Sequence, residues 1–195
     1  MIDYFALLDQ PRAPWLDLDE LKEHYHQKTL LLHPDAQSNQ PSGEANVMFA
    51  NLNEAYQVLQ DPKRRLLHLL TLAGAAPSST NQIIPQQLQD LFPEVGGVTK
   101  RANVLLEKIR NASNRLSRSL LQPQVLELQN NAKEVRAKIR QLFDSSLVEL
   151  RKINPAWEKN PLEQVATLSE LHGRFAYLTR WSSQLDEIIF QLSMH

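Results

Sequence analysis

The side chains best placed to do chemistry in this 195-residue chain stand together in the tripeptide His33-Pro34-Asp35. Pro34 cannot continue a helix, and it biases the residue before it towards extended backbone, so the tripeptide should lie in an exposed loop. Asp35 offers a fixed carboxylate suited to a charge-assisted hydrogen bond with a partner's arginine. His33 can donate or accept a hydrogen bond near neutral pH. These are the properties of a loop that recognises another molecule.

Other kinds of chemistry have no support in the sequence. The chain has no cysteine, so it forms no disulfide, zinc–cysteine site or thiol nucleophile, and its five glycines do not form a phosphate-binding loop. His24 and His26 point apart on a helix and have no third ligand nearby. No nucleophile has the strand-turn-helix setting of a hydrolase. We therefore expect a protein that is not an enzyme and holds neither a metal nor a cofactor.

The elements that position the tripeptide are predicted to be helices. In the first part of the chain, apolar spacing and stop signals predict helices around residues 4–8, 17–32, 43–60 and 62–73. Asp17 or Asp19 is placed to cap the second of these. The core of this part is expected to include a run at helical spacing and two further aromatic residues: Met48, Leu52, Ala55, Tyr56 and Leu59, with Tyr25 and Phe49.

Three longer apolar runs follow, with the spacing of an antiparallel bundle. Their chain reversals are expected at Pro123 and at residues 154–161. The runs contain Leu105, Ile109, Ala112, Leu116 and Leu120; then Leu128, Ala132, Val135, Ile139 and Leu142; then Leu168, Leu171, Phe175, Leu178, Leu185, Ile189 and Leu192. The predicted fold is all-α, an N-terminal helical hairpin followed by a C-terminal antiparallel three-helix bundle.

Composition divides the chain into two parts. A cluster of small and polar residues around 74–82 predicts a linker, giving one domain over 1–74, a linker over 75–84 and a second domain over 85–195. The overall charge of −1 conceals an acidic first part, with a net charge of −4 over residues 1–74, and a basic remainder. No stretch approaches the ~18 apolar residues of a membrane helix. Asp3 and Asp9 stand where a signal peptide would be positive, so we expect a soluble, cytoplasmic protein without a membrane partner.

The residues around the tripeptide resemble the J-domain, the module by which J-protein co-chaperones act on DnaK-type chaperone ATPases. Leu21 and Tyr25 match the helix before the motif, and the stretch Asn53 to Arg65 (NEAYQVLQDPKRR) matches the helix after it. The resemblance implies that His33, Pro34 and Asp35 contact the chaperone and promote its ATP hydrolysis. It also implies that the preceding helix presents basic residues to that chaperone, here Lys22, His26 and Lys28.

The whole chain resembles one branch of this family, the HscB-type co-chaperones of iron–sulfur cluster assembly. Asp3-Tyr4-Phe5 matches the start of those chains, and Leu69 to Gly74 (LLTLAG) matches the end of their J-domain. The resemblance implies a DnaK/HscA-type chaperone and an iron–sulfur scaffold protein as partners. The positions it suggests for holding the scaffold are Leu88, Leu91, Phe92 and Phe175.

Two other interpretations remain open. The first keeps the J-domain but gives it a different client, because residues 85–94 lack the dense acidic run with which HscB proteins hold the scaffold. The second is a helical module that binds another protein or a nucleic acid, since Arg101, Lys108 and Arg115 form a basic row. We consider nucleic acid the weaker of these partners, because acidic residues such as Glu107 interrupt the row.

Overall fold

A computed structural model describes residues 1–31, 42–75 and 85–195, with side chains from residue 46 onward in the second range. Its α-helices are α1 (Tyr4–Leu7), α2 (Leu18–Leu31), α3 (Ser42–Gln60), α4 (Pro62–Leu72), α5 (Leu91–Asn111), α6 (Arg115–Ser119), α7 (Gln122–Lys159) and α8 (Pro161–Ser193), with a 3₁₀ turn at Gln86–Leu88. The residues described form no strand, and the all-α prediction is confirmed.

The helices of the first part begin where their capping residues stand. The Asp17 carboxylate accepts the backbone N–H groups of Asp19 and Glu20 at the start of α2, at 2.9 and 3.3 Å. Asp61 caps α4 through the N–H of Arg64 at 2.8 Å, and Pro62 occupies the first helical position, where its missing N–H costs nothing. The four helices predicted here agree with the structure to within about two residues.

The chain forms two compact units, each made of two stretches that are separate in the sequence. One contains residues 1–81 and 147–172, and the other contains 82–146 and 173–195, so α7 and α8 each contribute to both. The division into domains 1–74 and 85–195 stays a prediction, and of the predicted linker, 75–84, the structure describes only Ala75.

The second unit is an antiparallel three-helix bundle of α5 with parts of α7 and α8. Lys138 pairs with Glu94 at 2.8 Å, and Arg101 donates to Asn131 at 2.7 Å, so α5 and α7 run in opposite directions. Its core consists of apolar residues spaced by three and four on each helix, among them Val98, Leu105, Val135, Ile139, Leu178 and Leu185. This arrangement confirms the predicted bundle.

One predicted run of the bundle was wrong at its end. Helix α5 stops at Asn111, and Ala112 has an extended backbone. The Asn114 side chain then accepts the N–H of Ser117 at 2.7 Å and starts the short α6. Short polar side chains compete with the helix for backbone groups, which explains the break. Leu116 and Leu120, predicted to be core, are 72% and 70% exposed.

The reversal predicted over residues 154–161 does fall in that range, at Asn160, but the loop predicted around it is helical. Helix α7 continues through Pro155 to Lys159, and Asn160 alone separates it from α8. A proline inside a helix removes one backbone hydrogen bond, a loss that packing can offset. Here the side chains on either side of Pro155 hold the segment, because Asn154 is hydrogen-bonded and Trp157 is buried.

Candidate functional site

The helices α2 and α3, on either side of the tripeptide, are held together by aromatic stacking. The rings of Tyr25 and Tyr56 lie 4.4 Å apart between centroids and are nearly parallel. The Tyr25 hydroxyl donates to Oδ1 of Asn53 at 2.5 Å, which fixes the register of the two helices. The prediction that these tyrosines are structural agrees with this placement, and both are half-buried.

The three basic residues predicted to face a chaperone do not share one environment. Lys22 and His26 are exposed and lie one turn apart on the same face of α2. Lys28 instead forms an ion pair with Asp9, at 2.8 Å. Among the described residues Lys22 has no ion-pair partner, so its charge is available to a partner protein. The charge of Lys28 is already paired within the chain.

The tripeptide His33-Pro34-Asp35 itself lies outside the described residues. The helices that precede and follow it in the sequence carry exposed apolar residues: Leu30, at the end of α2, is 70% exposed, and Val47 and Met48 on α3 are 62% and 50% exposed. Phe49, predicted to be core, is also exposed, at 45%. Among the α3 side chains that the structure describes, the first buried one is Leu52. Sequence spacing missed this exposed apolar surface.

A buried arginine connects the N-terminal loop to the end of α3. Arg65 is 2% exposed and donates to the backbone oxygens of Pro14 at 2.9 Å and Leu59 at 2.5 Å. Burial lowers the pKa of its guanidinium to about 10, and the nearby carboxylate of Asp61 opposes this effect by raising the pKa. Both acceptors belong to the chain itself, so Arg65 is a structural residue.

His68 fixes the start of the chain against α4. Its Nε2 accepts the backbone N–H of Tyr4 at 3.1 Å, and its ring stacks on Tyr4 with centroids 4.5 Å apart. Burial lowers the pKa of His68, with Asp3 opposing and Arg12 adding to the effect. The neutral imidazole is therefore the form that this contact requires.

The segment Arg12–Leu16 is held by residues near the end of α7. Asn154 accepts the N–H of Trp15 at 2.9 Å and donates to its carbonyl oxygen at 3.0 Å. The Arg151 guanidinium lies 4.8 Å from the centre of the Trp15 ring. Trp157 is 5% exposed and donates its indole N–H to the Arg12 carbonyl at 2.7 Å. The sequence left the role of Trp157 open, and the structure makes it a buried anchor.

The four residues predicted to hold a client have different degrees of burial. Leu88 and Phe175 are completely buried, and Leu91 is 8% exposed, so all three pack inside the protein. Phe92 is 52% exposed. Of the four, Phe92 alone has a large surface that a partner could contact.

Phe92 stands at the edge of an aromatic cluster. Its ring lies 6.2 Å from that of the buried Trp181, which in turn lies 5.4 Å from Tyr177. Asp90 beside it is exposed, whereas the carboxylate of Glu94 is occupied by Lys138 at 2.8 Å. The cluster supports Phe92 from below and leaves one acidic side chain next to it.

Metal and nucleic-acid sites find little support in the part of the chain that the structure describes. It contains no group of three histidine or carboxylate side chains able to hold a metal ion, and no helix long and apolar enough to cross a membrane. Helix α7 also carries basic residues, but one of them, Arg136, forms an ion pair with Asp186 on α8. That pair reduces the positive charge available to a phosphate backbone.

Comparison with known proteins identifies the first part of the chain. The family model of the DnaJ domain matches residues 3–68, about a third of the chain, and this segment is a DnaJ domain. The chain is 35% identical over 102 residues to chaperone protein DnaJ of Nitratiruptor sp., and 43% identical over 63 residues to that of Xanthobacter autotrophicus. It spans 26% and 16% of the lengths of these two relatives, so their similarity is confined to one module.

The fold of the whole chain is similar to that of a particular group of proteins. The crystal structure of human co-chaperone protein HscB matches 97% of this chain and 81% of its own, with a TM-score of 0.57 and 21% identity. Chaperone HscB from Vibrio cholerae matches 98% of this chain and 99% of its own, with a TM-score of 0.63 and 17% identity. The chain thus carries a DnaJ domain on an HscB-like fold.

Proposed function

We propose that this protein is a co-chaperone that stimulates the ATPase of a DnaK/HscA-type chaperone through His33, Pro34 and Asp35. The observation that carries the proposal is the DnaJ-domain match over residues 3–68, which spans the tripeptide and both helices around it. The protein acts on the ATP site of its partner and performs no bond chemistry of its own.

The exposed surface beside the tripeptide supports this function. Lys22 and His26 present hydrogen-bond donors on α2, and Met48 and Phe49 present apolar surface on α3. Positive charge raises the rate of encounter with an acidic partner, and apolar contact then slows dissociation. Helix α2 also carries Asp19, and the first part of the chain is acidic overall, so we expect modest electrostatic steering.

Steady-state ATPase measurements with a DnaK/HscA-type chaperone test the proposal. The wild-type protein should stimulate hydrolysis, and His33→Gln should abolish the stimulation while leaving the far-UV circular dichroism unchanged. His195→Gln, the same change in the other compact unit, is the matched control and should stimulate as the wild type does. Absence of stimulation by the wild type, or equal stimulation by His33→Gln, would contradict the proposal.

We further propose that the helical bundle binds the client, and that the client is an iron–sulfur scaffold protein. The support is the similarity of fold to the HscB proteins and the exposed Phe92 above its aromatic cluster. With no cysteine in the chain, the protein cannot ligate a cluster through thiolates and would act on the protein that does.

Calorimetric titration with a scaffold protein decides the identity of the client. Phe92→Ser should weaken binding at least tenfold, because an anchor residue at the centre of an interface contributes about 2 kcal/mol or more and about 1.4 kcal/mol corresponds to a factor of ten. Phe190→Ser is the matched control, since Phe190 is 59% exposed on α8. A flat isotherm for the wild-type protein would favour a J-domain co-chaperone with a different client.

A further inference from the structure

A groove runs along one face of α5 within the second compact unit. Two adjoining hollows of about 320 and 620 Å³ share Val104 and Lys108 in their walls. The face extends from Lys100 to Asn111, which at 1.5 Å per residue is about 17 Å, or three helical turns. Its opposite wall comes from α6 and the start of α7.

The surface of this groove is more apolar than a solvated bundle face requires. Val104 is 49% exposed, and Leu120, in the opposite wall, is 70% exposed. Leu116 is 72% exposed and precedes Ser117, which lines the larger hollow. Exposed apolar residues grouped around a concavity mark a site of interaction, whereas isolated ones do not.

The rim of the groove is positively charged. The basic residues that line the two hollows are Lys100, Arg101 and Lys108. Among the residues described neither Lys100 nor Lys108 has an ion-pair partner.

Two carboxylates also border the groove. Glu107 lines the larger hollow, and Glu127 lines the smaller one. They are outnumbered by the basic residues of the rim, so the field at the mouth favours a negatively charged occupant.

We propose that this groove binds an acidic amphipathic helix of a partner protein. The three-turn length and apolar floor fit a helix whose apolar residues recur at i, i+4 and i+7, and the basic rim fits Asp and Glu at its flanking positions. This binding site lies on different residues from the chaperone-facing surface and from Phe92. It therefore stands or falls independently of ATPase stimulation.

The shape of the surface favours a protein helix over other anionic partners. A membrane surface requires a convex apolar face, whereas Val104 lies at the floor shared by two hollows. Nucleic acid binds to basic surfaces through phosphates and to aromatic side chains through stacking. The apolar side chains that line the two hollows are Val104, Leu105, Ala112, Leu120, Leu121 and Leu128, none of which is aromatic.

Selection from a displayed library of helical peptides, with the full-length protein as bait, tests the proposal. The library should carry peptides of about 14 residues, long enough to span the groove. We expect enrichment of peptides with leucine-like residues at i, i+4 and i+7 and acidic residues beside them. Fluorescence anisotropy of an enriched peptide should show at least tenfold weaker binding to Leu120→Asp and at least threefold weaker binding to Lys108→Glu.

The matched controls carry the same chemical changes outside the groove. Leu126→Asp replaces a leucine that is 57% exposed on α7, and Lys133→Glu reverses an exposed charge on the same helix. Both should bind the peptide as the wild type does. Enrichment of basic or uncharged peptides, or equal losses in groove and control variants, would overturn the proposal. The proposal would also be overturned if the protein sedimented with anionic phospholipid vesicles, or bound RNA, through this groove. In that case Leu120→Asp would abolish the binding and the peptide would not compete with it.

Discussion

Replacement of Arg65 by methionine should destabilise the first compact unit far more than the same change at the adjacent Arg64. Methionine preserves much of the length and apolar volume of the arginine side chain but has no N–H donor. In Arg65→Met the backbone oxygens of Pro14 and Leu59 would lose the donors that lie at 2.9 and 2.5 Å.

The magnitude follows from those two carbonyl groups. A buried polar group without a partner costs about 1–3 kcal/mol, so two of them predict a loss of about 2–6 kcal/mol. Part of this loss is offset, because methionine removes the free-energy cost of burying a guanidinium. That cost is reflected in the pKa of Arg65, which burial lowers to about 10. We expect a net loss of about 2–3 kcal/mol in the free energy of unfolding for Arg65→Met.

Arg64→Met is the matched control. Arg64 forms an ion pair with Glu54 at 2.6 Å in which both side chains are more than a third exposed, so its loss should cost below about 1 kcal/mol. Urea denaturation measures both variants, and hydrogen exchange over residues 12–16 should show faster opening in Arg65→Met alone. Free energies that agree within about 0.5 kcal/mol for the two variants would refute the reasoning.

Three further predictions concern the two units. Lys22→Ala should lower ATPase stimulation more than Lys28→Ala does, because Lys28 is already paired within the chain; equal losses in the same assay would contradict this. His68 has a lowered pKa in the folded state, so as the pH falls the unfolded chain is protonated at this residue before the folded chain is. The free energy of unfolding should therefore hold above pH ~6.5 and fall below it by up to about 1.4 kcal/mol per pH unit. Urea denaturation at several pH values should show a shallower decline for His68→Gln than for the wild type. Gly96→Ala and Gly97→Ala should each stabilise α5 by about 0.5–1 kcal/mol, since an added Cβ meets no atom within 4 Å; a lower urea midpoint would show the opposite.

The first part of the fold could be predicted closely because its signals are local. Asp17, Asp61 and Pro62 mark helix starts through their own side chains, and no distant residue is needed to interpret them. The two acceptors of Arg65 could not be predicted in this way, since Pro14 lies 51 residues away in the sequence. Spacing gives the face of a helix and not the partner that covers it.

The errors have the same physical origin. Leu116 and Leu120 have the spacing of core residues, yet α5 stops at Asn111, so they no longer lie on its buried face. Conversely, Leu88 and Phe175 were selected as contact residues by family resemblance and prove to be completely buried. Apolar periodicity cannot distinguish a residue that packs in the core from one that is exposed in the isolated chain.

The exposed apolar residues therefore carry the functional information that periodicity obscured. Val47, Met48 and Phe49 lie on α3, the helix that follows in the sequence the tripeptide proposed to contact a chaperone, and Leu120 lies in the groove proposed to contact a helix. Each exposed leucine-sized side chain forgoes about 1.5–3 kcal/mol of burial free energy in the isolated chain. A protein that leaves such groups uncovered in two separate places is suited to engage two partners at once. Simultaneous engagement is what delivery of a client to a chaperone requires.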